Sequence, residues 1–458
     1  MNYPQAIQFL YDLQLFGFKL GLENTRRLAA LAGNPQDRLR FIHVSGTNGK
    51  GSTCAMLESV YRASGLRVGL FTSPHLVSFG ERIQVDRRPL GEAGVVEGVT
   101  GMQDLLKAFP PDHSPTFFEV VTVMALCHFA RQDCDLVIWE TGMGGRLDAT
   151  NIVTPLATVI TNVSLDHEKW LGHTLTQIAT EKAGIIKAAV PALTAAEEPE
   201  ALAVIRQTAG RLKAPLVEIV SAAADEPPLV GLKLPLLGRH QRLNAALAVA
   251  TVRTLADQLA VPEEALRRGL ESVRWAGRLQ VIPRPGGGID LVDGAHNPAG
   301  VAALIAALRD DFAGRPPVMI LGVLQDKDWA AMGNALFPLA KSVCLVPVAS
   351  ARTATPEELR AVCGARHPHI PVNLCHSLAE ALRLTHDEPF RLLTGSLYLV
   401  GEALELLDTS PASAAAERGL NEWQGRELSL PAESQSQSGL DGASRSLTPA
   451  GAPGRTPV

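Results

Sequence analysis

Short apolar runs alternate along most of the chain with stretches in which apolar side chains return every three or four residues. That alternation predicts an α/β fold, a mostly parallel sheet wrapped by helices. "RFIHV" (40–44), "RVGLFTS", "CDLVIWET" and "LATVITNV" read as buried strands, each ended by small polar residues. Behind the first of them Met56, Val60 and Ser64, with Leu57 and Tyr61 beside them, repeat at helical spacing. A long helix is expected from about Gln241 to Leu259, and "PEEALRRGLESV" forms another with Pro262 at its first turn. The Gly- and Pro-bearing segment "RWAGRLQVIPRPGGG" (274–288) breaks the rhythm and places a domain boundary near 275–280. Beyond it "GIDLVDG", a helix from about Pro298, "PVMILGV", "KSVCLVPV" and "FRLLTG" predict a second, smaller Rossmann-like α/β domain. The expected division is therefore 1–275 and 276–408, followed by a disordered tail, 409–458, whose Ser, Ala, Gly, Pro and Gln bury too little apolar area to offset ordering.

Composition narrows the function. A chain of 458 residues that is 46% hydrophobic is long enough for two cores. Its formal charge of −5 and the lack of any basic block argue against nucleic acid or an anionic membrane as partner. No run of about 18 apolar residues suggests a membrane span, and the N-terminus lacks the layout of a signal peptide. None of the six cysteines forms a C-x-x-C pair, as suits a reducing compartment. A cytoplasmic monomer acting on small molecules is expected.

One stretch carries chemistry on its face. "SGTNGKGST" (45–53) resembles a phosphate loop, yet the common pattern G-x-x-x-x-G-K-[ST] would require glycine at 44 and Ser or Thr at 51, where the chain has Val44 and Gly51. The order strand, glycine loop, helix still fits an anion site, because Gly46, Gly49 and Gly51 let backbone N–H groups converge at a helix N-terminus. Lys50 would then meet the terminal phosphates, with the hydroxyl of Ser52 or Thr53 nearby. The plainer alternative is a glycine turn with a solvated lysine.

The offset spelling "GTNGKGS" resembles the loop of folylpolyglutamate synthases and bifunctional dihydrofolate synthases of the Mur ligase superfamily. "TSPHLVSFGERI" (72–83), "TFFE" (116–119), "WETGMGGRLDATN" (139–151), "SLDHEKWLG" (164–172), "EKAGIIK" (181–187) and "DGAHNP" (293–298) follow in the same order, so the resemblance spans about residues 20–400. It implies ATP bound by Asn48, Gly49, Lys50, Gly51, Ser52, Asn244, Arg278 and Asp293. It implies magnesium, as two ions, with Ser73, Glu140 and His167 as ligands, and it admits a monovalent cation. Lys50, His296 and Lys182 become the catalytic residues, Lys182 carbamylated to an anion and His296 stabilising charge on the transferred phosphoryl group. For Asp326 and Lys327 a solvated loop is an equal alternative. The pterin is expected at Leu20, Gly21, Leu22 and Glu23, at Thr116, Phe117, Phe118 and Glu119, and at Leu147, Asp148 and Ala149; without the resemblance Phe117 and Phe118 would read as core residues.

The implied reaction adds L-glutamate to dihydropteroate, to reduced folates, or to both, through an acyl phosphate. Folylpolyglutamate synthase activity alone and another Mur-type amino-acid ligase remain open. A cell-wall Mur ligase usually carries a further N-terminal domain, whereas this loop begins about 45 residues in. A nucleotide-binding switch would need no metal set, and a P-loop kinase would transfer phosphate without an amine.

Overall fold

Strands without a polar face need cover on both sides. In a computed structural model of the protein, which describes residues 1–14, 17, 21–110, 113–409 and 417–422, they find it in two sheets. The first comprises β1 (Phe41–Ser45), β2 (Val68–Phe71), β3 (Ile83–Val85), β4 (Arg88–Pro89), β5 (Leu136–Glu140), β6 (Ala157–Ile160), β7 (Ala192–Thr194) and β8 (Leu216–Glu218). Its order is β4-β3-β2-β5-β1-β6-β7-β8. β1 pairs in parallel with β5 on one side and β6 on the other, while β3 and β4 run antiparallel at one edge. Helices Lys50–Ala63, Arg239–Thr254 and Glu263–Glu271 cover one face through Met56, Val60, Tyr61, Leu247 and Leu266. Helices Tyr3–Gln14, Glu92–Leu106 and Phe117–Arg131 cover the other through Leu10, Val99 and Phe129.

The chain passes to the second sheet between Glu271 and Gln280. That sheet holds β9 (Gln280–Pro283), β10 (Ile289–Val292), β11 (Val318–Leu321), β12 (Ser342–Leu345), β13 (Val372–Leu374) and β14 (Phe390–Thr394) in the order β13-β12-β11-β14-β10-β9. Only β9 is antiparallel among these described strands. Helices Pro298–Asp311 and Trp329–Leu336 pack on one face, Leu378–Leu384 and Leu397–Leu406 on the other.

Two expectations change. The helix expected to reach Leu259 ends at Thr254, because the apolar repeat continues through buried Leu255 and Leu259 in turns that follow the helix. Composition placed residues 417–422 in the tail, yet they form a short turn (Arg418–Asn421) with Leu420 in the first domain's core. The rest of the tail past residue 409, and Leu20, lie outside the described residues. Cys54, Cys127, Cys134, Cys344 and Cys375 are free thiols. Among the described residues no helix is long and apolar enough to cross a membrane.

Candidate active site

The parallel arrangement sends the ends of β1, β2, β5 and β6 to one edge, and the polar residues that stop these apolar runs gather there. The glycine loop follows β1. Gly49 has φ +82° and caps helix Lys50–Ala63, and a side chain there would also strike the Asn244 amide. Gly51, the residue that spoils the usual loop pattern, lies under the Trp275 ring, where a Cβ would come within 2.9 Å. The linker's tryptophan thus takes the space that a Ser or Thr would need. Lys50 folds back over the loop and donates to the Gly46 and Thr47 carbonyls, both at 3.2 Å. Gln241 links the loop helix to Asn244, donating to Ser52 Oγ at 3.2 Å and accepting from Asn244 Nδ2 at 3.1 Å.

The second domain closes on this loop. Asn48 and Asn297 exchange side-chain amide hydrogen bonds at 3.2 and 3.0 Å, and Asn297 also donates to Asp166 at 2.9 Å. Lys327 pairs with the other oxygen of Asp166 at 2.7 Å. Burial works against the charge on Asp166, but His167, Lys327 and His296 outweigh it and hold the carboxyl well below the usual range. Lys327 is therefore seated in the cleft rather than in a solvated loop. Asp326, by contrast, pairs with Arg352 at 3.2 Å on the cavity side. His296 donates from Nδ1 to the Gly294 carbonyl at 2.7 Å, which leaves a lone pair on Nε2 facing Asp166 at 3.9 Å. Burial and then Lys327 lower its pKa to about 4, so the ring is neutral at pH 7. Asp293 spends its two oxygens on the Leu279 and Ala295 backbone N–H groups at 2.8 and 2.9 Å, holding the linker turn. Arg278 lies beside Gly294, and its charge reaches both Glu140 and His296.

Around the loop stand the expected metal donors. Glu140 ends β5 and accepts from the Ser73 backbone at 3.0 Å. Burial raises its carboxyl to about 7 against the opposing charge of Lys50. His167 follows β6 with φ +52°, and burial lowers its pKa to about 4, leaving a neutral ring with a lone pair. Among the described residues no group of three or more His, Cys, Asp and Glu side chains forms a cage. One carboxyl, one imidazole and one hydroxyl fit a hard cation that keeps much of its shell as water and phosphate. Lys182 is buried and donates to the Gly46 carbonyl at 2.8 Å. Burial and then Lys50 lower its amine to about 7.

Beside these groups opens a cavity of about 300 Å³. Thr116, Phe117, Phe118 and Asp148 line it, as do Ser73, His167 and His296. Thr116 caps helix Phe117–Arg131 in a reciprocal pair with Glu119, whose other oxygen accepts from Thr25, so Glu119 is occupied in holding the helix start. Asp148 accepts from the Met143 and Thr150 backbone at 2.8 and 3.0 Å. Burial raises its pKa despite these donors.

The sequence matches the Mur ligase middle domain over residues 44–217 and the Mur ligase glutamate ligase domain over residues 277–396. It is 36% identical over 433 residues to folylpolyglutamate synthase of Lacticaseibacillus casei, covering 89% of this chain and 99% of that one. It is 33% identical to dihydrofolate synthase/folylpolyglutamate synthase of Escherichia coli, covering 88% and 94%. The fold superposes on Mycobacterium tuberculosis folylpolyglutamate synthase complexed with ADP with a TM-score of 0.81 at 30% identity, over 90% of this chain and 100% of that one. It superposes on E. coli FolC in complex with DHPP and ADP with a TM-score of 0.79 at 31% identity, over 89% and 98%. The chain belongs to the folylpolyglutamate synthase/dihydrofolate synthase family of Mur ligases.

As a member of that family it places its residues unevenly. Asn48 to Ser52, Asn244, Glu140, Ser73, His167, Lys182 and His296 gather at the loop edge or the adjoining cavity. Gly21, Leu22 and Glu23 open helix Glu23–Leu31 and are not among the cavity's lining residues; nor are Leu147 and Ala149, which flank Asp148, the cap of a 3₁₀ turn over Ala149–Ile152. Of the "LDA" residues expected at the pterin, Asp148 alone is among those lining the cavity. Asp166 and Asn297 were inside recognised motifs but were not singled out. Arg82 lies inside "TSPHLVSFGERI" but was not singled out, and Arg352 and Tyr398 line the cavity without any short pattern to mark them.

Proposed function

We propose that this folylpolyglutamate synthase/dihydrofolate synthase family member is an ATP-dependent ligase that adds L-glutamate to dihydropteroate, to reduced folates, or to both. The observation that carries this reading is the reciprocal Asn48–Asn297 pair, which joins the phosphate loop of one domain to the "DGAHNP" turn of the other. A carboxylate resists attack by an amine because its charge repels nucleophiles and its leaving group is poor. Phosphorylation by ATP converts it to an acyl phosphate, the glutamate amine attacks, and phosphate leaves. Closure of the two domains would shield the acyl phosphate from water. The domain division 1–275 and 276–408 serves the same reading, with the 274–288 linker as hinge.

Lys50 and the loop N–H groups would bind the terminal phosphates, with Asn244 and Arg278 on the nucleotide and Asp293 holding the linker turn in register. Ser73, Glu140 and His167 would hold magnesium, which when bound screens the phosphate charge from the incoming carboxylate. Lys182, at about 7, has at neutral pH the free amine that reaction with carbon dioxide requires, and its carbamate would serve a second ion. Stripping dissolved carbon dioxide should then lower activity, and bicarbonate should restore it; indifference to both would remove the carbamate. His296 was expected to balance phosphoryl charge. Its ring is neutral at pH 7 with Nε2 turned to Asp166, so it would carry charge for that role only on taking up a proton. Phe117 and Phe118 would give the pterin a flat apolar contact.

The test is to incubate the protein with ATP, magnesium and glutamate and compare dihydropteroate with tetrahydrofolate as acceptor. Phosphate release should require both the acceptor and glutamate. Release without an amine would point to a kinase or hydrolase instead.

A further inference from the structure

Residues 417–422 lie beyond residue 396, where the family match ends, yet they are built into the cavity wall. Hydrogen bonds and one buried side chain bind the segment to the first domain. Glu417 accepts from the Phe79 backbone at 2.7 Å and from the Tyr3 hydroxyl at 2.8 Å. Gln14 donates to the Gly419 and Glu422 carbonyls at 3.2 and 3.1 Å. Leu420, 1% exposed, completes the core under helix Tyr3–Gln14. From that seat the segment reaches two cations that line the cavity. Asn421 Oδ1 accepts from Arg82 Nη2 at 2.6 Å, and its Nδ2 donates to the His75 carbonyl at 3.0 Å. Glu422 accepts from Arg352 Nε at 3.1 Å, so the segment also touches the second domain.

We propose that Asn421 and Glu422 are positioning residues of the ligase site, which hold Arg82 and Arg352 as a fixed pair of guanidinium groups for the carboxylates of the incoming amino acid. This rests on the ligase reading above. The two partners differ as such a role demands. Arg82 is held by neutral acceptors, His75 Nδ1 at 2.9 Å and the Asn421 amide, so its charge is left for an anion entering the cavity. Arg352 is held by Glu422 and Asp326 and by the Tyr398 hydroxyl at 3.3 Å, which fix its plane. Two like charges facing one cavity repel each other, and each needs an anchor on its far side to stay extended toward the ligand.

The test compares the full chain with Asn421→Ala, Glu422→Ala, Glu422→Gln and a truncation after Thr409. Asn421→Ala, Glu422→Ala and the truncation should each raise KM for glutamate about tenfold while KM for ATP stays within twofold, and Glu422→Gln, which keeps an acceptor for Arg352, should recover most of the loss. Unchanged KM for glutamate, or a parallel fall in every parameter, would overturn the proposal. Phenylglyoxal labelling read by peptide mass spectrometry supplies an arm that needs no turnover. Arg82 should label faster in Asn421→Ala, and Arg352 faster in Glu422→Ala, and equal rates would also overturn it. A full chain that labels as expected but never consumes glutamate would instead sink the ligase reading.

Discussion

The phosphate-loop side of the cleft and the acceptor side differ in how their polar groups are held. At the loop, Lys50 bonds carbonyls three and four residues away, and Thr161 and Asn162 of the neighbouring strand end tie down Thr47 and Asn48. On the acceptor side, Arg82 is anchored by a residue 339 positions along the chain, and Arg352 by one 70 positions along. A local device depends on a short spelling, whereas a non-local wall depends on the whole fold arriving first. Losses at the loop should therefore be chemical, and losses at the wall should be losses of binding.

Lys50→Ala puts the largest weight on that distinction. Turnover should fall by about 10²–10³-fold, as for loss of one preorganised electrostatic stabiliser, while circular dichroism and thermal midpoint stay near those of the parent. A variant that keeps its turnover would break the loop assignment. Lys327→Ala comes next. It leaves the Asp166 carboxylate buried at the domain junction without its cation, so kcat should fall roughly tenfold to a hundredfold, and Lys327→Arg should retain more. If Lys327→Ala matches the parent, the junction is not part of the working site.

The same contrast explains what could be read from the chain. Strands β1, β2, β5 and β6 and the loop between β1 and helix Lys50–Ala63 were legible because apolar period and glycine spelling are short-range signals. Lys182 lies on helix Leu175–Ala183, whose start a Thr174–Gln177 capping pair marks in the spelling. Composition misread 417–422, since six residues among Ser, Ala and Gly carry no periodicity, and their order comes from Tyr3, Gln14 and Arg82 rather than from themselves. Arg352 looks like any surface arginine in sequence, and Arg82, although inside "TSPHLVSFGERI", carries nothing in its spelling that marks it as a cavity residue. Only the distance between each and its partner gives them away. Gly21, Leu22 and Glu23 show the converse, a motif whose match in spelling does not place it on the cavity.

Phe118→Ala sharpens the acceptor side. Its ring lines the cavity and leans on Gly142, where a Cβ would come within 2.5 Å of it. Losing an aromatic contact of that size should raise KM for the pteroate substrate about tenfold and leave KM for ATP within twofold. A fall in kcat with unchanged KM would mean that this wall reaches the chemistry as well, and the separation drawn above would fail.

Stability rather than turnover probes the seam where the two regions meet. His43 lies in β1, under the loop, and its Nε2 bonds Thr150 Oγ1 at 2.9 Å; Thr150 in turn bonds Asp148 of the cavity wall. Burial, with the charge of Lys187 adding to it, lowers the pKa of His43 from 6.5 to about 3. The unfolded chain therefore takes up a proton below about pH 6.5 that the folded chain refuses until about pH 3. Its contribution to stability is flat above pH 6.5 and falls as the pH drops across that window, by about 1.4 kcal/mol for each unit. His43→Leu should remove this part of the slope. Urea unfolding at pH 4, 5, 6 and 7 should show a shallower loss toward acid in the variant than in the parent. Equal slopes would mean that the ring takes up its proton in place, and that the seam between loop and cavity admits charge after all.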